Sequence, residues 1–100
     1  MILEVRTVGR KTPGDGRLEV SEATYRRLAM DGALMAHVGD AEATATLERM
    51  PCTCGRGHDG AHEHTFVRSG VFRHLAAGET CVIDLVAPGQ LVVASPHPLS

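Results

Sequence analysis

The chain has few aromatic residues, which limits the kind of core it can build. Only Tyr25, Phe66 and Phe72 are aromatic among its 100 residues, and tryptophan is absent. The core must therefore rest on aliphatic side chains, which bury less apolar surface per residue than aromatic rings do. This length fits one domain with a modest core. A bound metal ion would compensate for such a core, as it does in many small domains.

The chain also lacks a strong excess of charge and any long apolar run. Ten basic residues face twelve acidic ones, for a net charge of −2 and a pI near 6.3. Binding to nucleic acid would therefore need local clustering of arginine and lysine. No run approaches the roughly 20 apolar residues that span a bilayer, and the first residues alternate like a strand rather than forming a signal peptide. We expect a cytoplasmic protein with no membrane partner.

The cysteine count is odd, which argues against a disulfide framework. Only three cysteines are present, and two of them lie close to three of the six histidines. In a reducing compartment such a group indicates metal ligands before disulfides. The chain has no P-loop, no dinucleotide-binding glycine pattern and no carboxylate pair that stands out as an acid/base dyad. The sequence therefore gives no positive evidence for an enzyme, and we assign no catalytic residue.

The cysteine and histidine cluster has a spacing that suits zinc. Zinc in structural sites takes four nitrogen or sulfur ligands in a tetrahedron. Residues i and i+2 of a strand face the same side, so a hairpin that pairs Cys52 with His64 and Cys54 with His62 places four ligands on one face. Sheet twist or a bulge is needed to bring that flat arrangement toward a tetrahedron. We predict one structural Zn²⁺ per chain on Cys52, Cys54, His62 and His64, with His58 as the alternative ligand.

Two other interpretations of this cluster stay open. If only three residues bind the metal, Glu63 or His58 could lie beside an activated water, and a small metallo-hydrolase becomes conceivable. If none binds, the segment is a polar hairpin whose cysteines and histidines are incidental. A closed set of four ligands favours a structural role.

The remaining pattern is mainly β. Alternating apolar and polar residues predict strands, while Gly, Pro and Asp-Gly clusters mark the turns between them. Ser21 is a good helix cap, so a short helix is expected directly after it. The predicted strands are 2–8, 17–20, 33–38, 43–50, 62–67, 80–86 and 90–95, the two short helices are 22–30 and 69–77, residues 9–16 form a loop, and 96–100 form a flexible tail.

The order of elements repeats within the chain. Residues 25–28 (Tyr-Arg-Arg-Leu) stand 47 positions before residues 72–75 (Phe-Arg-His-Leu), and the strands that follow match at the same offset. Such self-similarity indicates a duplicated supersecondary unit. We predict one domain of two ββαββ pseudo-repeats, at approximately 1–50 and 51–95. Together they would form a small closed or partly closed barrel that carries the metal-binding hairpin.

The first half resembles a known family. Residues 7–10 (Thr-Val-Gly-Arg), 16–20 (Gly-Arg-Leu-Glu-Val) and 25–28, followed by a Gly-Asp turn, resemble the AbrB/MazE-type swapped-hairpin domain. This resemblance covers residues 1–50 and implies a cradle-loop or double-psi-like barrel that binds DNA. The chain departs from the family at Ser21, where a proline is usual, and in carrying the Cys/His insertion.

Basic residues surround the loop at 9–16, and one more lies in the loop at 55–60, which matches it in the second half. The resemblance implies that they reach DNA, and arginine suits phosphate and guanine because its planar fork donates two parallel hydrogen bonds. The plainer interpretation is solvated charge at loop ends. The residues concerned are Arg6, Arg10, Lys11 and Arg17 around the first loop and Arg56 in the second.

These observations predict a zinc-stabilised β-barrel binding module that acts as a DNA-binding regulator. The alternatives are a protein-interaction or adaptor module of a larger complex, or a metal sensor, with the metallo-hydrolase least favoured. The sequence leaves the choice between a monomer and a homodimer open, because a duplicated barrel can close alone whereas a single half must pair.

Overall fold

A computed structural model describes residues 1–51 and 63–95. The prediction of a mainly β fold with short helices is confirmed. Seven strands form one mixed sheet that curls into a half-barrel. The elements are β1 (Ile2–Thr7), α1 (Thr12–Asp15), β2 (Arg17–Val20), α2 (Glu22–Ala29), β3 (Leu34–Val38), β4 (Ala41–Pro51), β5 (Glu63–Arg68), a 3₁₀ helix (Gly70–His74), β6 (Thr80–Ala87) and β7 (Gln90–Ala94).

The strand order across the sheet is β1-β6-β7-β3-β4-β5-β2. Neighbouring strands are antiparallel except β3 and β7, which run parallel. Two tight hairpins, β3–β4 and β6–β7, lie side by side at the centre. The strands β1 and β2 are therefore the two edges of the described sheet.

The core lies on the concave side of the sheet and is mostly aliphatic. Alternate residues of β6 point inward, and Cys81, Ile83 and Leu85 are buried there. Burial raises the pKa of the Cys81 thiol. Phe72 of the 3₁₀ helix is fully buried among them and is the one aromatic ring of the core. Burying a side chain of that size stabilises the fold by roughly 2–3 kcal/mol.

The helix α2 starts where the sequence predicts it. The Ser21 hydroxyl accepts a hydrogen bond from the Thr24 backbone N–H at 3.2 Å, which caps the helix. Glu4 of β1 reaches across and accepts from the Ser21 N–H at 2.9 Å and from the Thr24 hydroxyl. Burial opposes ionisation of Glu4, but the bonds from Thr24 and Ser21 and the charge of Arg6 hold its pKa below the usual 4.5. The carboxylate thus ties the edge strand β1 to α2.

Two segments differ from their predicted form. The expected loop at 9–16 contains α1, because Pro13 suits the first turn of a helix and the left-handed Gly16 (φ 71°) ends it. The expected helix at 69–77 is instead the shorter 3₁₀ helix, capped by Ser69. The predicted tail, 96–100, lies outside the described residues. No helix in the described part of the chain is long and apolar enough to cross a membrane.

The turn between β6 and β7 depends on a glycine. Gly89 has a left-handed backbone (φ 74°), and a Cβ atom there would lie 2.6 Å from the carbonyl oxygen of Ala33. Its N–H donates to the Asp31 carboxylate at 3.0 Å, and its carbonyl accepts from the Met35 N–H at 2.8 Å. The turn is therefore held against the start of β3 from both sides.

We expect Gly89→Ala to destabilise the fold by about 3 kcal/mol or more, because a left-handed backbone and a clash with backbone act together. Gly39→Ala is the matched control. Gly39 is also left-handed (φ 58°), but no atom lies within 4 Å of its would-be Cβ, so its cost should be about 1–2 kcal/mol. Chemical denaturation of both variants measures the difference, and equal losses would contradict the close approach at Ala33.

Candidate functional site

The predicted metal ligands fall mainly on residues that the structure does not describe. Cys52, Cys54, His58 and His62 lie outside the described ranges, and His64 is the one candidate within them, on β5. Within residues 1–51 and 63–95, no three side chains of His, Cys, Asp or Glu are grouped so that they could hold a metal ion. The metal site therefore stays a prediction.

The hairpin arms that would carry this site are present, but in a different register. β4 and β5 are antiparallel and end with Pro51 opposite Glu63. The predicted pairing of His64 with Cys52 is wrong, because His64 lies opposite Met50. A strand's register follows its buried face. Here buried Val67 pairs with partly buried Leu47 in the same ladder, so core packing rather than the Cys/His spacing sets the alignment.

His64 has a partner that sequence reasoning missed. Its Nδ1 lies 2.7 Å from Oε2 of Glu19 on β2. A carboxylate accepts hydrogen bonds, so Nδ1 is the donor in this contact, and in a neutral ring the lone pair is then on Nε2. Metal-ligating histidines commonly have this arrangement, with the carboxylate orienting the ring. Glu19 and His64 are 45 positions apart, so the contact becomes visible only once β2 and β5 are known to pair.

A groove runs along the outer face of β2 and β5, beside α1. It encloses about 440 Å³. Its apolar lining is Met50, Pro51 and Phe66, and its charged or titratable lining is Lys11, Asp15, Arg17, Glu19 and His64. Two basic and two acidic side chains therefore face the same space, together with an aromatic ring.

The predicted DNA-contacting residues are brought together only in part. Lys11 and Arg17 line the groove, whereas Arg6 lies on β1 and pairs with Glu4 at 3.0 Å. Arg17 is engaged too: its Nε donates to Glu48 at 2.7 Å. Arg10 is exposed beside Lys11, and no ion pair to either is found among residues 1–51 and 63–95. Arg56 lies outside the described residues.

Glu48 is a second acid that the sequence did not single out. It accepts hydrogen bonds from Arg17 and, at 3.3 Å, from Arg68. Burial would raise its pKa, but the two arginines outweigh that effect and lower it. The result is an ionised carboxylate between two cations on adjoining strands, which neutralises part of the basic surface that DNA would need.

Arg49 lies near the ends of β4 and β5 and has several partners. The guanidinium of Arg49 lies 4.6 Å from the centre of the Tyr25 ring and donates twice to Glu22, at 2.9 Å each. It also contacts Glu63 at 3.4 Å. The hydrogen bonds from Arg49, and then from Arg26, lower the pKa of Glu22 to about 2. Arg49 therefore joins α2 to both arms of the β4–β5 hairpin.

No protein-family model, curated protein or solved structure matches this chain. The resemblance of residues 1–50 to the swapped-hairpin family therefore stays a prediction from the sequence. Function has to be argued from the groove itself.

We expect the Glu22 carboxylate to titrate near pH 2 instead of 4.5, which side-chain NMR can follow. Because its folded pKa is depressed, the stabilisation it contributes is present above about pH 4.5 and is lost as the pH falls through about 2. Arg49→Ala should move the midpoint back toward 4.5, and Arg26→Ala should move it less. A midpoint that Arg49→Ala leaves unchanged would contradict this assignment.

Proposed function

We propose that the chain is a zinc-stabilised β half-barrel that serves as a protein-interaction module, with the groove beside the zinc hairpin as its binding surface. The observation that carries this proposal is the place where the groove lies. It is lined by Pro51 and His64, at the two strand ends that flank the Cys/His segment. This position of the groove supports the proposal that the metal site and the binding surface are neighbours.

One structural Zn²⁺ is proposed on Cys52, Cys54, His62 and His64, with His58 as the alternative ligand. Two observations support it. Pro51 and Glu63 are cross-strand partners, so the Cys/His segment begins and ends at the same point of the sheet. The contact of Glu19 with Nδ1 of His64 favours the tautomer that binds metal through Nε2. A bound ion would also reinforce a core that holds one aromatic ring.

The lining of the groove favours a protein segment over a polyanion. Among the lining residues that the structure describes, Lys11 and Arg17 are balanced by Asp15 and Glu19, so this lining has no strong net positive charge. Protein interfaces are enriched in aromatic residues, methionine and arginine, and Phe66 lies in the groove floor with such neighbours. The expected partner is a peptide segment with an apolar side chain for Phe66 and polar groups of both signs around it.

DNA binding is the second candidate, and one observation favours it. Arg10 and Lys11 are exposed at the start of α1, next to the groove that Arg17 lines. Arg56 would join them if the Cys/His segment folded over this side. Such a patch is small, so the affinity would be modest and would fall steeply with salt.

We also propose that the half-barrel consists of two related halves, as the repeat in the sequence predicts. A helical segment capped by a serine, Ser21 in one half and Ser69 in the other, precedes each central hairpin. Each hairpin has a two-residue turn with a left-handed glycine, Gly39 or Gly89. The halves differ at the sheet edge, since β5 pairs with both β2 and β4. A swapped-hairpin or double-psi-like origin is part of this proposal.

Protein purified without added metal should contain about one zinc per chain, and a chelator should lower its melting temperature strongly because the binding energy is coupled to folding. Cys52→Ser, Cys54→Ser and His64→Ala should each reduce the zinc content. His74→Ala, an exposed histidine of the 3₁₀ helix, is the matched control and should keep it. Protein that contains no metal and melts at the same temperature with chelator would contradict the zinc proposal.

The contact of Glu19 with His64 predicts how much zinc affinity is lost when Glu19 is replaced. Glu19→Ala should weaken zinc binding by about 10–100-fold, the usual effect of losing a group that orients a histidine ligand. Glu19→Gln should weaken it less, because an amide oxygen still accepts from Nδ1. Competition with a chromophoric chelator measures both. If Glu19→Ala binds zinc as tightly as the wild type, either His64 is not a ligand or Glu19 does not orient it.

The partner class can be decided with a photo-crosslinking amino acid. Placed at Phe66 in cells, it should give one discrete protein adduct, while the same group at exposed Thr44 on β4 should not. Fluorescence anisotropy with specific and random DNA at low salt tests the other candidate. DNA binding that is lost in Arg10→Ala and Lys11→Ala, with no adduct at Phe66, would replace the protein-interaction proposal with the DNA-binding one.

A further inference from the structure

The two edges of the half-barrel carry different side chains. On β2, Arg17 is paired with Glu48 and Glu19 is paired with His64, so that edge strand carries charged side chains on its outer face. Charged side chains on an edge strand discourage it from pairing with another chain. On β1, the charged residues are Glu4 and Arg6, and these two contact each other at 3.0 Å. Glu4 is further directed at α2. Both charges of the edge strand β1 are therefore compensated within the chain.

Apolar exposure is concentrated at the same edge. Six large apolar side chains in the described part of the chain are exposed, and four of them lie on or beside β1. They are Met1 (72%), Ile2 (62%), Val5 (58%) and Val86 (56%). Val5 also stands opposite half-buried Val82 on β6, which extends the apolar surface onto the next strand. Clusters of this kind on a small protein mark interaction surfaces.

The backbone of β1 is also available for pairing. The N–H of Val8 donates to Glu79 at 2.8 Å, on the side of β6. Alternate residues of an antiparallel strand direct their N–H and C=O to opposite sides, so Val5 and Thr7 direct theirs to the open edge. No described strand pairs with that side. The bulge of β1 lies between Ile2 and Glu4 and leaves the register from Glu4 to Thr7 regular.

We infer that β1 pairs with β1 of a second copy of this chain, antiparallel and about a two-fold axis at Val5. Val5 then faces Val5 of the other copy. Glu4 stands at the register position opposite Arg6 of the other copy, and since each is already paired within its own chain, no unpaired like charges meet, which is the condition for stable self-pairing of an edge. A two-fold contact of this kind is self-complementary and closes after two subunits.

This pairing goes beyond the proposed function and does not depend on zinc. It converts two half-barrels, each with an unguarded edge, into one continuous sheet of fourteen strands. The contact is small, because a six-residue strand and its flanking apolar side chains bury less than the roughly 800 Å² per partner of a standard interface. We therefore expect reversible dimerisation with a Kd in the micromolar range.

Sedimentation velocity over a range of protein concentrations tests the dimer. The wild-type chain should pass from monomer to dimer as the concentration rises. Val5→Pro should stay monomeric with little change in melting temperature, since the N–H it removes does not serve the β1–β6 ladder. Val5→Lys should do the same through charge, which covers the case where Val5→Pro fails to fold. Met30→Lys, at an exposed site (77%) away from the edge, should dimerise like the wild type.

Cysteine crosslinking tests the register. In the proposed pairing the two Val5 Cα atoms are about 5.5 Å apart, within reach of a disulfide. Val5→Cys should therefore form a covalent dimer under mild oxidation, whereas Thr7→Cys and the wild-type chain, which carry the same native cysteines, should not. A wild-type chain that stays monomeric at all concentrations overturns the proposal. A dimer that survives Val5→Lys, or that crosslinks equally through Thr7→Cys, overturns the β1 pairing.

Discussion

A short apolar row across three strands sets the geometry on which the site depends. Val67, fully buried near the C-terminal end of β5, lies opposite Leu18 on β2 and opposite Leu47 on β4. A slip of one residue in either ladder would turn the buried faces outward, so this row holds both neighbours in register. The contact of Glu19 with His64 and the meeting of Pro51 with Glu63 both follow from that alignment.

The sequence predicts local structure well and long-range pairing poorly, for a physical reason. The strand at 80–86 and the Ser21 cap are predicted from neighbours in the chain, and both are found in the structure. The pairing of β2 with β5 joins residues 45 to 51 positions apart, which no local pattern encodes. In the β4–β5 ladder the spacing of cysteine and histidine places His64 two residues out of register, because packing of Val67 against Leu47 sets that alignment.

The sequence also does not show which arginines remain available to a ligand, because that depends on which acids the fold brings to them. The sequence does not distinguish an arginine that is exposed to solvent from one that forms an ion pair with an acidic residue, whereas the fold does. Arg6 and Arg17 sit among acids that come from other positions, Glu4 and Glu48. Their charge is largely compensated within the chain, so the surface available to a polyanion is smaller than the count of basic residues suggests. Because less positive charge is available, the surface favours a protein partner over DNA.

An incompletely closed sheet has two edge strands that can pair with other chains, and the two edges here carry different kinds of side chain. The β2 edge carries charges neutralised across strands, beside the groove and the proposed zinc hairpin. The β1 edge carries valine, isoleucine and methionine, with its charges turned toward α2. Apolar side chains on an open strand are costly in a monomer because they invite uncontrolled pairing. Their persistence beside a self-complementary Glu4–Arg6 pattern is most simply explained if a second copy covers them, leaving the groove of each half-barrel at the opposite edge of the sheet for its own partner.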